Sequence, residues 1–161
     1  MAQSMRTRLF RWYFNLFPAY RGTGGWITHI EEDFSEVRAK LPLNWHTRNY
    51  VGTIFGGSMY AAVDPVYMIM LIQRLGPEYE VWDKAASIRF KKPGRSTLYA
   101  SFRVDDEELE EIRSRLREEA SVDRRYTVEL TDEEGTVHAL VEKTVHVRRK
   151  RREEAQDAED R

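Results

Sequence analysis

At 161 residues, 41% apolar and 33% charged, the chain is long enough for one well-buried core and too short for two of average size. Its 26 basic and 27 acidic residues nearly cancel, giving no reason to expect a nucleic-acid partner, and the absence of cysteine excludes disulfides, thiolate metal sites and cysteine nucleophiles. No apolar run reaches the roughly 18 residues of a spanning helix, and the opening segment lacks a small-residue cleavage site, so the cytoplasm is the expected compartment.

Residues 4–17 set Arg6, Arg8 and Arg11 among large apolar side chains and predict an amphipathic helix that stops before Pro18. Its stripe is expected to pack on the domain's own core or a subunit seam; contact with a membrane surface is the less favoured alternative. In "GGWITHIEEDFSEVRAKLPL", Trp26, Thr28 and Ile30 alternate with Ile27, His29 and Glu31, and Val37, Ala39 and Leu41 alternate with Glu36, Arg38 and Lys40. That predicts two strands joined by a polar turn. "NWHTRNYV" has no period and reads as a loop. From Gly56 or Gly57 to about Leu75 the run is apolar almost all round, a buried helix stopped by Gly76-Pro77.

Further on, "DKAASIRFKKPG" predicts a strand with Ala86, Ile88 and Phe90 on one face, and "STLYASFRV" a second strand after the Pro-Gly turn. Residues 105–120 read as a helix with acids first, arginines later and a narrow stripe of Leu109, Ile112 and Leu116. "RRYTVELTDEEGTVHALVEKTVHV" reads as a hairpin. The plan is α+β: residues 1–148 form a single domain in which a curled antiparallel sheet covers one long helix, and 149–161 form a charged, disordered tail. That helix is too apolar for one flat sheet to cover, so the sheet must curl or a second subunit must help.

The stretch "NYVGTIFGGSMYAAVDP", residues 49–65, raises a chemical question. Gly56 and Gly57 at a helix start offer unshielded amides that could hold an anion or polarise a carbonyl, although glycine pairs there more often serve close packing. Asp64 lies seven residues past Gly57, near two turns on, and Pro65 predicts a kink at Asp64. A carboxylate in this apolar setting is costly without a partner; it either caps the second half of a broken helix or marks a site.

These residues resemble the signature of hotdog-fold acyl-CoA thioesterases of the phenylacetyl-CoA thioesterase-like kind, and more closely an uncharacterised branch catalogued as domain of unknown function 4442. Asn49 stands six positions before Phe55 and Asp64 nine after it, and "DKAASIRFKKPG" is similar to the superfamily's strand ending in a Lys-Pro turn. The resemblance spans roughly residues 20–148. It implies a hotdog fold, self-association to a dimer or tetramer, and an acyl thioester bound between protomers. Gly56 or Gly57 would polarise its carbonyl, and Asp64 of one subunit would act as base or nucleophile. Where the family pattern has His, this chain has Phe55, which leaves polarisation to backbone amides and to Asn49 or Thr53. Phe55, Ser58, Met59 and Tyr60 would then line an acyl pocket, an arrangement that suits a non-catalytic acyl-CoA binder as well as an enzyme. A dehydratase on the same scaffold is less favoured without an active-site histidine at the helix.

Coenzyme A would enter as part of the substrate, with no separate cofactor. Its phosphates could meet Lys84, Arg89, Lys91, Lys92 and Arg95, which could equally be a solvated strand edge that discourages pairing. His29, His46, His138 and His146 show no metal-site spacing with carboxylates, so no metal is expected.

Overall fold

The computed structural model describes residues 4–150. Helix α1 (Met5–Leu16) is capped by Ser4, whose side chain accepts from the Thr7 amide. It ends where Phe17 turns extended, as a residue before proline prefers, and Pro18 opens the single turn α2 (Pro18–Arg21). Strands β1 (Trp26–Ile30) and β2 (Glu36–Leu41) follow as a hairpin. One alternation needs correcting: a bulge between Ile27 and His29 shifts the face of β1, so Ile27 and Ile30 are buried rather than Trp26, Thr28 and Ile30.

The apolar run is two helices, α3 (Gly56–Val63) and α4 (Val66–Leu75), divided at Asp64-Pro65 where the kink was expected. Strands β3 (Tyr79–Phe90) and β4 (Leu98–Arg103), helix α5 (Asp106–Arg115) and the hairpin of β5 (Ser121–Thr131) and β6 (Val137–Arg149) complete the chain. Strand β3 begins at Tyr79, earlier than "DKAASIRF" suggests, because Tyr79–Trp82 pair with the end of β6. Arg149 closes β6, and the charged tail beyond Lys150 lies outside the described residues.

The strands form one antiparallel sheet in the order β1-β2-β4-β5-β6-β3, curled but unclosed, with β1 and β3 as its edges. Its concave face carries Val37, Ala39, Leu98, Ala100, Phe102, Val141 and Val145, all buried against Met59, Val63, Val66, Met70 and Leu71 of the central helices. Strands β4 and β5 pair only at Tyr99 and Thr131. Tyr67 of α4 fills the splay: its ring stacks on Tyr126 at 4.3 Å and meets Phe102 edge-on at 5.2 Å, and its hydroxyl donates to the Thr127 carbonyl at 3.4 Å. Ala86, Ile88 and Phe90 pair with Lys143, Val141 and Ala139 and so share the concave face, as predicted. Ala86 and Phe90 are nevertheless exposed, although the Phe90 ring meets the start of α3 at Gly56.

Candidate active site

The loop before α3 is built by its own side chains. The Asn49 carboxamide oxygen accepts from the amides of Val51 (3.1 Å) and Thr53 (3.0 Å), and its nitrogen donates to the Thr53 hydroxyl at 2.8 Å. The Ile54 amide donates to the Gly94 carbonyl, and the Phe55 amide to that of Thr47, each at 2.8 Å. The chain thus reaches Phe55 extended and enters the helix at Gly56, with no side chain capping it. The Phe55 carbonyl accepts from Ser58 and Met59, whereas the amides of Gly56 and Gly57 have no acceptor among the described residues. Two outward donors therefore stand at a helix N-terminus. The glycines also admit two rings: a Cβ at 57 would lie 2.3 Å from the Phe55 ring, and one at 56 would lie 2.8 Å from that of Phe90.

Beside these amides is an open cleft of about 380 Å³ lined by Asn49, Thr53, Gly56, Met59, Phe90, Lys91 and Lys92. Two of the five cations singled out in the sequence, Lys91 and Lys92, therefore reach the Gly-Gly opening. Lys84 instead pairs with Asp123 at 2.7 Å and Arg89 with Glu142 at 3.2 Å, and Arg95 is exposed outside the cleft. Asn49 and Thr53 face the cleft but spend their polar atoms on the loop, so they position its wall rather than offer free donors. Phe55 is 56% exposed, Ser58 and Tyr60 are half-buried, and Met59 is buried against Gly94.

Asp64 lies at the other end of α3, and here the structure supplies two partners that sequence reasoning missed. Its Oδ1 accepts from the Tyr60 hydroxyl and from Lys143 Nζ, each at 2.6 Å. Lys143 is fully buried, also donates to the Asp64 carbonyl at the helix break, and bridges to Asp83 at 2.8 Å. Asp64 Oδ2 takes no hydrogen bond among the described residues, and its side chain is 39% exposed, so one carboxylate oxygen is fixed and the other is open. Burial raises the Asp83 carboxyl above its ordinary value; the bond from Lys143 opposes this and the charge of Asp64 adds to it. Burial, and then the bond to Asp64, push the Tyr60 hydroxyl up as well, keeping it a donor. The signal for Lys143 was in the sequence: Ala139, Val141, Lys143, Val145 and Val147 occupy alternate positions of one strand, and a lysine in that buried register requires anionic company.

The histidines are structural. His46 bonds the Gly22 carbonyl, His138 lies between the Pro93 carbonyl and Asp132, and His146 pairs with Asp123 while its ring packs at a tilt on Trp82. Among the described residues no cluster of His, Asp or Glu has the geometry to hold a metal ion.

A sheet curled around a helix that opens at Gly-Gly and carries a tethered carboxylate defines a hotdog-fold protein, and solved structures share the architecture. PA5026 of Pseudomonas aeruginosa, a protein of unknown function described as a probable thioesterase, has a TM-score of 0.82 at 19% identity, over 92% of this chain and 99% of its own. A Chlorobaculum tepidum protein of unknown function gives 0.70 at 15% identity, over 89% and 94%. The thioesterase HI1161 of Haemophilus influenzae gives 0.66 at 14% identity, over 92% and 93%. The family model "Domain of unknown function (DUF4442)" matches residues 6–147, and the chain belongs to that family. No curated protein matches the sequence.

Proposed function

We propose that this protein is a thioesterase that hydrolyses acyl-CoA or a related acyl thioester at a site shared by two protomers. The observation that carries the reading is the pairing, on one helix, of two acceptor-free amides with a carboxylate held through a single oxygen. The amides of Gly56 and Gly57 would stabilise the oxyanion that forms as the thioester carbonyl is attacked. Asp64 Oδ2 would take a proton from the attacking water, or attack the carbonyl itself, while Tyr60 and Lys143 hold Oδ1. On the first route that proton passes to the departing thiolate; on the second the thiolate leaves as an acyl–Asp64 anhydride forms, and the water that hydrolyses the anhydride frees the carboxylate and supplies the proton that the thiolate takes up.

Helix geometry argues for two protomers. Seven residues separate Gly57 from Asp64, a rise of about 10 Å, whereas reacting groups must come within about 3–3.5 Å of one another. One chain's amides are therefore paired, in this reading, with the carboxylate of its partner. The unpaired edge of β3 and the exposed Phe90 beside Gly56 offer the surface on which a second copy could bring its carboxylate across. Lys91 and Lys92 would meet the phosphates of coenzyme A in the cleft.

Removing the charge while keeping the shape, Asp64→Asn, should lower thiol release from acyl-CoA substrates by about 10²–10⁴-fold with the fold retained. Unchanged turnover would refute the role given to Asp64. Phe55 favours a second reading, an acyl-CoA binder, because it lays an apolar ring over Gly57 where the family pattern has a protic side chain. Saturable acyl-CoA binding without turnover in either protein would decide for the binder.

A further inference from the structure

Helix α1 is mounted with its polar side inward. The Asn15 carboxamide donates to the Ile27 carbonyl at 2.9 Å and accepts from the Ile27 amide at 2.7 Å, and Arg11 donates to the Thr28 carbonyl at 2.9 Å. These bonds occupy the edge of β1, while Phe10 and Phe14 pack on the core. The opposite side is left to solvent: Met5 is 69% exposed, Leu9 63% and Tyr13 66%, with Trp12, Leu16 and Phe17 near half. At 100° per residue, Met5, Leu9, Trp12, Tyr13 and Leu16 share an arc of about 100°, with Arg8 just beyond one border and Arg6 just beyond the other. No acidic residue occurs before Glu31, so four arginines stand on this segment without an acid of its own.

We propose that α1 lies on anionic phospholipid membrane surfaces, its apolar arc in the acyl boundary and Arg6 and Arg8 at the headgroups. An arc bordered on both sides by guanidinium groups and carrying Trp and Tyr matches the layering of that interface. A second copy of the chain fits less well, because packing α1 on α1 would bring together two arginine-bearing helices that carry no acidic residue between them. The shared thioester site leaves this face free: α1 covers the β1 edge, at the opposite end of the sheet from β3. The inference stands on α1 alone and does not depend on the chemistry of the site.

Flotation of the full-length protein with vesicles tests it. Protein should float with equimolar phosphatidylcholine–phosphatidylglycerol vesicles and remain below those of phosphatidylcholine alone, and added salt should release it. Leu9→Glu with Leu16→Glu, both at exposed positions, should abolish flotation without shifting the thermal midpoint. Arg6→Ala with Arg8→Ala should weaken partition by roughly 30-fold, as two surface arginines predict. Failure to float overturns the proposal; if the Leu→Glu pair then also lowers the oligomeric mass by light scattering, a second copy covers the helix instead. Flotation that survives the Leu→Glu pair, or is equal on both vesicles, overturns it as well.

Discussion

Lys143 decides the electrostatics of the interior. One buried ammonium serves two carboxylates, and Asp83 Oδ1 is buried with no hydrogen-bond partner, so the cluster is already short of donors. Replacing Lys143 with Met keeps much of the volume but strands both acids. Breaking a fully buried pair costs about 3–5 kcal/mol, and the partial exposure of Asp64 brings the expectation here to about 2–3 kcal/mol. The pH dependence follows from Asp83. Its folded pKa lies above the ordinary 3.8, and losing the bond from Lys143 raises it further. A carboxyl raised in the folded state stabilises below its unfolded pKa and loses that contribution as pH rises through the folded value. The stability deficit of Lys143→Met should therefore be small near about pH 4 and grow toward neutrality, as urea titrations across that range would show. A deficit that does not change with pH would contradict this account.

At the level of elements, what could be read from sequence followed the range of the forces involved. Local steric rules fixed the kink at Asp64-Pro65 and the end of α1 before Pro18, and both stand where they were expected. The face of β3 was right, but its exposure was not legible, because it depends on how the folded sheet meets α3. The β1 bulge was equally hidden, since it arises from pairing with β2 and leaves no mark on the strand's own pattern. The pairing of Lys143 with Asp64 is not legible in the sequence, because the two are 79 residues apart and only the folded, curled sheet brings them together. Helix α5 shows the same dependence. Leu109 and Ile112 anchor it apolarly, and Arg124 of β5 grips Glu108 and Glu111, with the Tyr126 hydroxyl donating to Glu108 at 2.8 Å. Arg124→Met should cost about 1–2 kcal/mol, since these groups are only partly buried. Hydrogen exchange should locate the loss, with α5 amides exchanging faster while the β5–β6 ladder stays protected; uniform acceleration would mean that Arg124 supports the whole sheet.

For the molecule as a whole, the proposed sharing of one site between two protomers is testable by complementation. Gly57→Val would force the Phe55 ring to move and put a branched side chain beside the amides, disabling one half-site; Asp64→Asn would disable the other. Each variant alone should be inactive. When the two are unfolded and refolded together, a mixed dimer has one site carrying both defects and one carrying neither. Random pairing makes half the dimers mixed, and half of their sites are intact, so about a quarter of wild-type thioesterase activity should return. If each site lay within one chain, mixing would return nothing, because every chain would still carry a defect in its own site. Recovery near a quarter would thus establish both the thioester chemistry and the exchange of carboxylates between protomers.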